Sequence, residues 1–378
     1  MPPSVKEAFK ITETSGATTF FDERKICDRH VNATSCDQNC INDEKVNNYE
    51  QEKQQLTTNV NNHISKNVTK SVDKNNNTFI FVKEGEWCVV WRNVVIFAIL
   101  HALHFYGIYL LFSERRFGAW IISWWWGLWG GLGITAGAHR LWSHRSYKAR
   151  LPLRIFYMFG QCIAGQNDLY TWCRDHRVHH KFSETDADPH NALRGYFFAH
   201  MGWLLMKKHP EVTRKGKEVE LNDLLADPVI RFQKRFYVLL YFLFAFIIPT
   251  ALPVYLWGET WWYSMFATGI TRYCTSLHCT WFVNSTAHMF GDRPFNLNIN
   301  PRENVWVSLG AFGEGYHNYH HTFPYDYATS ELPIGFNISK LFIDFMESIG
   351  QAYDLKRVSR KLIEQRKEKV AHSSDHHH

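Results

Sequence analysis

Residues 117–144 have the sequence FGAWIISWWWGLWGGLGITAGAHRLWSH. The first part, through Ala138, is apolar and close to the ~20 residues that a helix needs to cross a bilayer. Two histidines, His139 and His144, follow directly at its polar end. The segment therefore predicts a membrane helix whose end carries candidate metal ligands.

Three more apolar stretches of similar length occur, so we predict four transmembrane helices, at 93–112, 117–138, 236–257 and 260–283. Short turns join the first to the second and the third to the fourth, and each pair is therefore a helical hairpin. Two hairpins place both chain ends and the loop 139–235 on one side of the membrane. The Lys and Arg content of that loop indicates the cytosolic side, although Arg115 and Arg116 in the first lumenal turn oppose this rule.

Composition limits the remaining possibilities for this chain of 378 residues. The net charge of +6 is spread out and suits a lipid surface or a phosphate-bearing substrate, with no nucleic acid partner. The eight cysteines have no framework spacing and are expected to be free thiols. Residues 1–85 are polar and predict a disordered cytosolic tail whose sequons at Asn32 and Asn67 are unused. A domain at 86–350 and a cytosolic C-terminal tail at 351–378 complete the prediction.

Histidine clusters are the most informative feature, because 21 histidines are present and nine of them have ligand spacing. The pair His139/His144 is followed by two HxxHH motifs and by a histidine four residues after Asn284. Residues at i, i+3 and i+4 share a helix face, so each HxxHH motif is expected to aim its imidazoles at one point. Nine ligands suit two metal ions, and imidazole accepts Fe, Zn, Cu or Ni. The candidate ligands are His139, His144, His176, His179, His180, His288, His317, His320 and His321.

Some polar residues lie within the predicted spans themselves. His101 and His104 are in the first span, away from the nine histidines, and we expect them to pack or hydrogen-bond locally. Arg272 and His278 are in the fourth span and must face the helix bundle or a polar cavity.

The sequence resembles the stearoyl-CoA desaturase family of membrane acyl-CoA desaturases, most nearly its insect members. The resemblance extends from about residue 90 to the C-terminal region. It is carried by four motifs: GITAGAHRLWSH at 133–144, RDHRVHHK at 174–181, DPHN at 188–191 and EGYHNYHH at 314–321. It implies an all-α membrane protein with four transmembrane helices and a cytosolic helical cap that holds a dimetal site.

The resemblance also implies two iron ions bound by all nine histidines, with Asn284 holding a water near one iron. It implies a long-chain acyl-CoA substrate, an endoplasmic reticulum location, and electrons from cytochrome b5 and its NADH-dependent reductase. No His-Pro-Gly-Gly haem motif occurs in the sequence, so cytochrome b5 is expected to be a separate protein.

Substrate contacts follow from the same match. The CoA headgroup is expected to contact cationic and polar residues, namely Arg92, Asn93, Asn167, Arg174, Asp175, Lys207 and Lys208. The pair Lys207/Lys208 equally fits a lipid-facing basic pair. The bend of the acyl tunnel is expected at Gln166, Trp172, Thr280 and Trp281, although tryptophans at such positions are also compatible with ordinary packing. Small residues recur every four positions on the second span and form either a tunnel end or a close helix contact: Ser123, Gly127 and Gly131.

Three functions remain open on these residues. A desaturase that forms a cis double bond at Δ9 is the first interpretation, with Δ11 or another position as alternatives. A di-iron fatty acyl hydroxylase shares the ligand logic, but Glu314-Gly-Tyr-His317 and Asp188-Pro-His-Asn191 favour the desaturase. A membrane zinc-binding or transport protein would need a polar path through the spans, and the spans offer few polar residues.

Overall fold

The computed structural model describes residues 88–114, 116–332 and 337–375. They belong to the second of two compact units, Ile80–His378. The predictions made for residues 1–85, including the sequons at Asn32 and Asn67, lie outside the described residues.

The described residues are mostly helical, and two short strands pair antiparallel. In chain order the α-helices are α1 Trp91–Glu114, α2 Gly118–Leu132, α3 Leu151–Ala164, α4 Leu169–Phe182, α5 Trp203–Leu205, α6 Pro210–Gly216, α7 Asn222–Ala226, α8 Pro228–Phe242, α9 Ile248–Trp257, α10 Trp261–Ser264, α11 Arg272–Asn284, α12 Thr286–Met289, α13 Val305–Gly310, α14 His317–Thr322, α15 Ile338–Ser348 and α16 Arg360–Asp375. The π-helices are π1 Gly133–Ser143, π2 Phe198–Gly202, π3 Leu243–Ile247 and π4 Met265–Thr271, a 3₁₀ turn covers Ala192–Arg194, and the strands are β1 Lys148–Ala149 and β2 Ala352–Tyr353.

Two helices of the described residues are long and apolar enough to cross a membrane: Trp91–Glu114 and the continuous helix Pro228–Trp257. They contain the first and third predicted spans. The second and fourth predicted spans also form helices, from Gly118 into π1 and from Trp261 through α11. These two helices are less apolar than the other two. The second span is rich in tryptophan and glycine, and the fourth contains arginine and histidine.

The two hairpin turns lie at the same end of the helix bundle. Arg116 Nη1 lies 2.9 Å from Glu259 Oε1, so an ion pair links the first turn to the second. The Tyr263 hydroxyl donates to the Arg116 carbonyl oxygen at 3.0 Å and strengthens this link. The histidine pair His139/His144 begins at the other end of the helix that follows the first turn. The negative charge of Glu259 also balances the positive charge of Arg116, one of the two arginines that oppose the rule that basic residues lie on the cytosolic side.

Arg272 is only 4% exposed, which confirms that this arginine of the fourth predicted span faces the bundle interior. Its guanidinium donates to three backbone carbonyl oxygens, at 2.7 Å to Thr268, 2.7 Å to Ala245 and 3.2 Å to Ile163. Thr268 and Ala245 lie within π4 and π3, where the helical hydrogen-bond pattern changes. The cation therefore uses backbone acceptors in place of a carboxylate.

A close backbone contact fixes α3 against π1, at the end of the second predicted span. A Cβ atom at Gly133 would lie 2.3 Å from both the Gly160 carbonyl carbon and the Gln161 nitrogen. A side chain at either glycine would therefore separate the helices, which explains the small residues here. The contact sets the position of π1, and π1 carries the first histidine pair.

The helices outside the four predicted spans, called the cap below, share a large apolar cluster, with Tyr157, Leu169, Cys173, Ile230 and Ile343 among its buried members. The region predicted as a C-terminal tail contributes structure to this cap. Strand β2 pairs with β1 in the register Lys148–Tyr353 and Ala149–Ala352.

Helix α16, also within the predicted C-terminal tail, packs on the segment that bears the last histidine box. Ile363 of this helix and Val358 join Phe295, Tyr319 and Phe323 in a second apolar cluster. The tail therefore supports the residues around α14.

Candidate metal centre

A π-helix brings His139 and His144 together. In an α-helix, residues five apart differ in direction by about 140°, so an HxxxxH pair would diverge. In π1 the His144 amide donates to the His139 carbonyl oxygen at 3.1 Å, which is the i to i+5 pattern. The two imidazole centroids consequently lie 4.8 Å apart. The wider helical turn gives this spacing its ligand geometry.

Helices α4 and α14 each carry one HxxHH motif. Helix α4 begins at a capped end, where Asp168 Oδ1 accepts from the Thr171 amide at 3.0 Å. The structure differs from the expectation that all three imidazoles of a motif converge. Adjacent residues on an α-helix point about 100° apart, so His179 and His180 diverge, as do His320 and His321.

The nine predicted histidines form two groups as a result. Within each group the candidate ligand atoms all lie within 4.8 Å of one another. The first and last histidines of each HxxHH motif share one group, and the middle histidine belongs to the other group. His176 and His180 are in one group and His179 in the other, and His317 and His321 are likewise separated from His320. The five-histidine group is His139, His144, His176, His180 and His320, and the four-histidine group is His179, His288, His317 and His321.

Nε2 atoms face each other inside both groups. In the five-histidine group the Nε2–Nε2 distances are 2.8 Å for His144–His176 and 2.9 Å for His139–His320. In the four-histidine group His317 Nε2 lies 3.1 Å from the Nε2 atoms of His288 and His321. Such contacts place several lone pairs around one point, as a shared metal ion requires.

Carboxylates orient three of these rings from behind. His139 Nδ1 lies 2.8 Å from Glu314 Oε2, and His179 Nδ1 lies 2.9 Å from Asp188 Oδ1. His288 Nδ1 lies 3.2 Å from Glu184 Oε1. A carboxylate at Nδ1 fixes that hydrogen and leaves Nε2 as the donor atom for a metal. The partners were not predicted as site residues; Glu314 and Asp188 fall within recognised motifs, whereas Glu184 gives no comparable sequence signal.

The electrostatics favour neutral imidazoles. Burial, together with repulsion from neighbouring histidines, holds the pKa of most of these rings well below its ordinary value, so they are neutral at pH 7 with a free lone pair. Burial likewise lowers the pKa of His288 despite the nearby Glu184. The rings with strongly lowered pKa are His144, His176, His180, His317, His320 and His321.

Glu314 remains ionised in this buried site. Burial raises the pKa of its carboxyl group, but Arg140 and His139 outweigh that effect and the pKa lies below its ordinary value. Arg140 is fully buried and donates through Nε and Nη2 to Glu314 Oε1 at 3.0 and 2.9 Å. The donor set therefore fits two divalent cations: nine imidazole nitrogens serve as ligands, and buried carboxylates supply negative charge behind them.

A cavity of about 590 Å³ extends from the histidines into the helix bundle. His139, His176 and His179 lie at its polar part, and Trp120 and Trp124 line its apolar part. Several residues predicted for the acyl chain or for the metal-bound water line it as well: Ser123, Gly127, Gly131, Gln166, Trp172, Thr280 and Asn284.

Hydrogen bonds across the cavity wall connect three of these residues. Gln166 Nε2 donates to Thr280 Oγ1 at 2.8 Å, and Trp172 Nε1 donates to Gln166 Oε1 at 3.2 Å. Trp172 in turn stacks on His176, with 5.1 Å between ring centroids. The wall beside the metal centre is thus held by side chains from three different segments.

The predicted headgroup residues gather at another place on the cap. Asp175 accepts from Arg174 at 2.8 Å and also pairs with Lys208. Asn93 Nδ2 donates to the Leu204 carbonyl oxygen at 2.7 Å, beside Arg92. The Lys207 amide donates to the Cys88 carbonyl oxygen at 2.9 Å, which holds the basic pair against the start of α1.

Two predicted substrate residues lie elsewhere. Asn167 is exposed with φ = 69°, and its carbonyl oxygen accepts from the Gln161 side chain. Trp281 is 3% exposed and contacts the rings of Phe97, His101 and His200, so it packs behind the cavity wall.

Comparison with known proteins gives the same family as the histidine motifs indicate. Residues 117–342 match the sequence model described as fatty acid desaturase. The chain is 54% identical over 289 residues to an acyl-CoA desaturase of Cyprinus carpio, covering 76% of this chain and 88% of the relative. It is 51% identical over 287 residues to an acyl-CoA Delta-9 desaturase of Acheta domesticus, covering 76% and 80%. It is 53% identical over 278 residues to human stearoyl-CoA desaturase, covering 72% and 76%. The chain with its two histidine groups therefore belongs to the fatty acid desaturase family.

Proposed function

We propose that this protein is a di-iron acyl-CoA desaturase that introduces a cis double bond, at Δ9, into a saturated long-chain acyl-CoA. The names of the relatives support the substrate class, and the relative from Acheta domesticus supports the position. The observation that carries the proposal is the cavity, because it joins a nine-histidine centre to an apolar interior.

The two histidine groups would each hold one iron ion. With dioxygen, a di-iron centre held by these residues would supply an oxidant strong enough to remove two hydrogens from adjacent unactivated methylenes. Asn284 lines the cavity with His179 and His317, a position that suits a ligand acting through water. Imidazole ligands and buried carboxylates suit iron but also accept zinc, so metal analysis belongs to the test.

The chain's own residues position the substrate. Arg174, Lys207 and Lys208 offer positive charge for the phosphates of CoA, and Asp175 holds Arg174 and Lys208 near each other. Fixing the headgroup at this rim fixes the distance from the thioester to the metal centre. The double-bond position then follows from the length of chain between them.

The acyl chain would occupy the cavity beyond the histidines. The bond network of Gln166, Thr280 and Trp172 holds the wall where the chain passes the metal centre. Small residues on the second membrane helix leave space further in. The surrounding apolar helices exclude water from the reacting carbons.

We also propose the endoplasmic reticulum membrane as the location, with four spans and both termini in the cytosol. The position of both hairpin turns at one end, linked by Arg116 and Glu259, supports this arrangement. Cytochrome b5 and its NADH-dependent reductase would deliver two electrons per turnover from the cytosolic side.

Expression in desaturase-deficient yeast, with mapping of double bonds in the fatty acids, tests the activity. We expect a cis double bond at Δ9 in long-chain products. A Δ11 product would correct the position alone, whereas a hydroxylated fatty acid without a new double bond would contradict the desaturase proposal.

Replacing single ligands tests the two-metal assignment. Because His320 and His321 belong to different groups, His320→Ala and His321→Ala should each lower bound iron and abolish product formation. His372→Ala, on the exposed surface of α16, is the matched control and should keep both iron and activity. Near-normal conversion by either ligand variant would contradict the proposed centre.

A further inference from the structure

A second cluster of metal-ligating side chains lies between the first membrane helix and α11. It consists of His101 on α1 and of Cys274 and His278 on α11, with ligand atoms within 4.8 Å of one another. Cys274 and His278 are four residues apart and therefore share one helix face. None of these residues belongs to the nine-histidine centre.

The two imidazoles meet in the same way as the rings of that centre. His101 Nε2 lies 3.1 Å from His278 Nε2, the distance found between His317 and His288. Two nitrogens bound to one cation at about 2.0–2.1 Å are separated by a similar distance. Cys274 is fully buried and adds a sulfur ligand from the same side as His278.

Hydrogen positions fit a cation between the two Nε2 atoms. With a cation there, each ring carries its hydrogen on Nδ1. His101 Nδ1 then donates to the Phe97 carbonyl oxygen at 2.6 Å. His278 Nδ1 donates to His200 Nε2 at 3.0 Å. A backbone carbonyl or a second polar group at Nδ1 is the usual support of a metal-bound histidine.

The next links of this chain distinguish a cation from a simple hydrogen bond. With a cation, His200 Nδ1 donates to Ser285 Oγ at 2.9 Å, and the Ser285 hydroxyl donates to the Trp281 carbonyl oxygen at 2.9 Å. Without a cation, His278 Nε2 must carry the hydrogen, and His200 Nδ1 becomes an acceptor. The single hydroxyl hydrogen of Ser285 would then have two acceptors. Among arrangements in which all three imidazoles are neutral, only the one with a cation between the two Nε2 atoms gives every contact one hydrogen.

We propose that His101, Cys274 and His278 bind a thiophilic d10 cation, zinc(II) or copper(I). Thiolate with imidazole suits these soft or borderline ions better than magnesium or calcium. A bound thiolate also offsets the charge of the cation, which matters within a membrane helix bundle. The ion would join α1 to α11 and, through His200, to the cap.

Cobalt(II) is the probe, because cobalt–thiolate bonds absorb strongly in the near-ultraviolet and cobalt–imidazole bonds do not. The full-length protein, stripped of metal and reloaded with cobalt, should show this absorption. Cys274→Ser should lose it, while Cys279→Ser, a free cysteine on the same helix, should keep it. His278→Asn should bind one equivalent of cobalt less per chain than the wild type.

The visible cobalt bands of the nine-histidine centre report whether each variant is folded. With those bands retained, near-ultraviolet absorption that is undiminished in Cys274→Ser would overturn the proposal. Absence of the near-ultraviolet absorption from the wild type would also overturn the proposal, and His101, His278 and His200 would then form a hydrogen-bonded chain without a metal. Metal analysis of protein purified without added metal distinguishes zinc from copper. Only the content of the native ion should be lower in Cys274→Ser than in the wild type.

Discussion

The Glu314 carboxylate interacts with two buried partners, the imidazole of His139 and the guanidinium of Arg140. Arg140 has further acceptors in the Tyr327 carbonyl oxygen at 3.0 Å and Asn337 Oδ1 at 3.1 Å. These acceptors are uncharged, and Glu314 is the carboxylate that balances the positive charge of Arg140. At the scale of single residues, one acidic side chain therefore affects both stability and metal binding.

Glu314→Gln should lower both properties. It leaves Arg140 buried without its carboxylate partner, and the expected loss of unfolding free energy is about 3 kcal/mol. The weaker support of His139 should reduce metal affinity by roughly 10- to 100-fold. Denaturant unfolding measures the first effect, and metal titration of the folded variant measures the second.

Glu211→Gln is the matched control, because Glu211 pairs with Arg214 on the exposed surface of α6. An exposed pair contributes only about 0–1 kcal/mol, so this variant should behave like the wild type. Equal metal affinity in the two variants would show that Glu314 has no orienting role.

At the scale of an element, helix α2 carries small residues with different neighbours on one face. A Cβ added at Gly127 would have Arg272 Cγ, at 3.9 Å, as its neighbour within 4 Å. A Cβ at Gly131 would meet Phe312 Cε2 at 1.9 Å. Gly127 therefore borders the cavity, whereas Gly131 also permits a close side-chain contact. The position of Gly127 suits the tunnel-end interpretation, whereas the close contact at Gly131 is made by Phe312, which lies in a turn and not on a second helix.

Gly127→Leu should shift the preference of the enzyme toward shorter acyl-CoA substrates. The added side chain would occupy the cavity end, while the headgroup site and the metal ligands remain unchanged. The double-bond position, counted from the thioester, should consequently stay fixed. Competition between myristoyl-, palmitoyl- and stearoyl-CoA measures the preference.

Gly131→Leu is the comparison at the next turn, and it should lower the thermal unfolding temperature because Phe312 must move. An unchanged length profile in a stable, iron-loaded Gly127→Leu protein would show that the cavity end does not limit chain length.

At the scale of the whole molecule, both hairpin turns lie at one end of the bundle and the histidine centre lies toward the other. A single membrane orientation then decides which compartment contains the histidines and the predicted headgroup residues. The proposed orientation puts them in the cytosol, where acyl-CoA and an electron donor can reach them.

A glycosylation reporter placed in residues 1–80 should therefore remain unmodified. The same reporter, carried on a flexible linker and inserted after Gly258, should be glycosylated because the turn there is lumenal in the proposed topology. An added Cβ at Gly258 would meet no atom within 4 Å, so the turn has open space for the linker. Glycan on Asn32 or Asn67 would reverse the proposed orientation.

The sequence by itself determined the residue types and the local geometry of this protein. Apolar stretches and their short turns indicated the helical hairpins, because a membrane helix is specified by continuous hydrophobicity. Nine histidines with ligand spacing indicated two metals, since residues four apart share a helix face. Motifs of this length also identified the family.

The tertiary structure decided how distant residues combine. His139 and His320 meet although they are 181 residues apart, and His101 meets His278 across 177 residues. Spacing describes only the few residues around one helical turn, so it could not show which distant histidines join His179 and which join His180, and it could not reveal π1. The carboxylate partners and the cavity wall likewise depend on helices that become neighbours only through folding, because their contacts are fixed by packing and not by the local sequence.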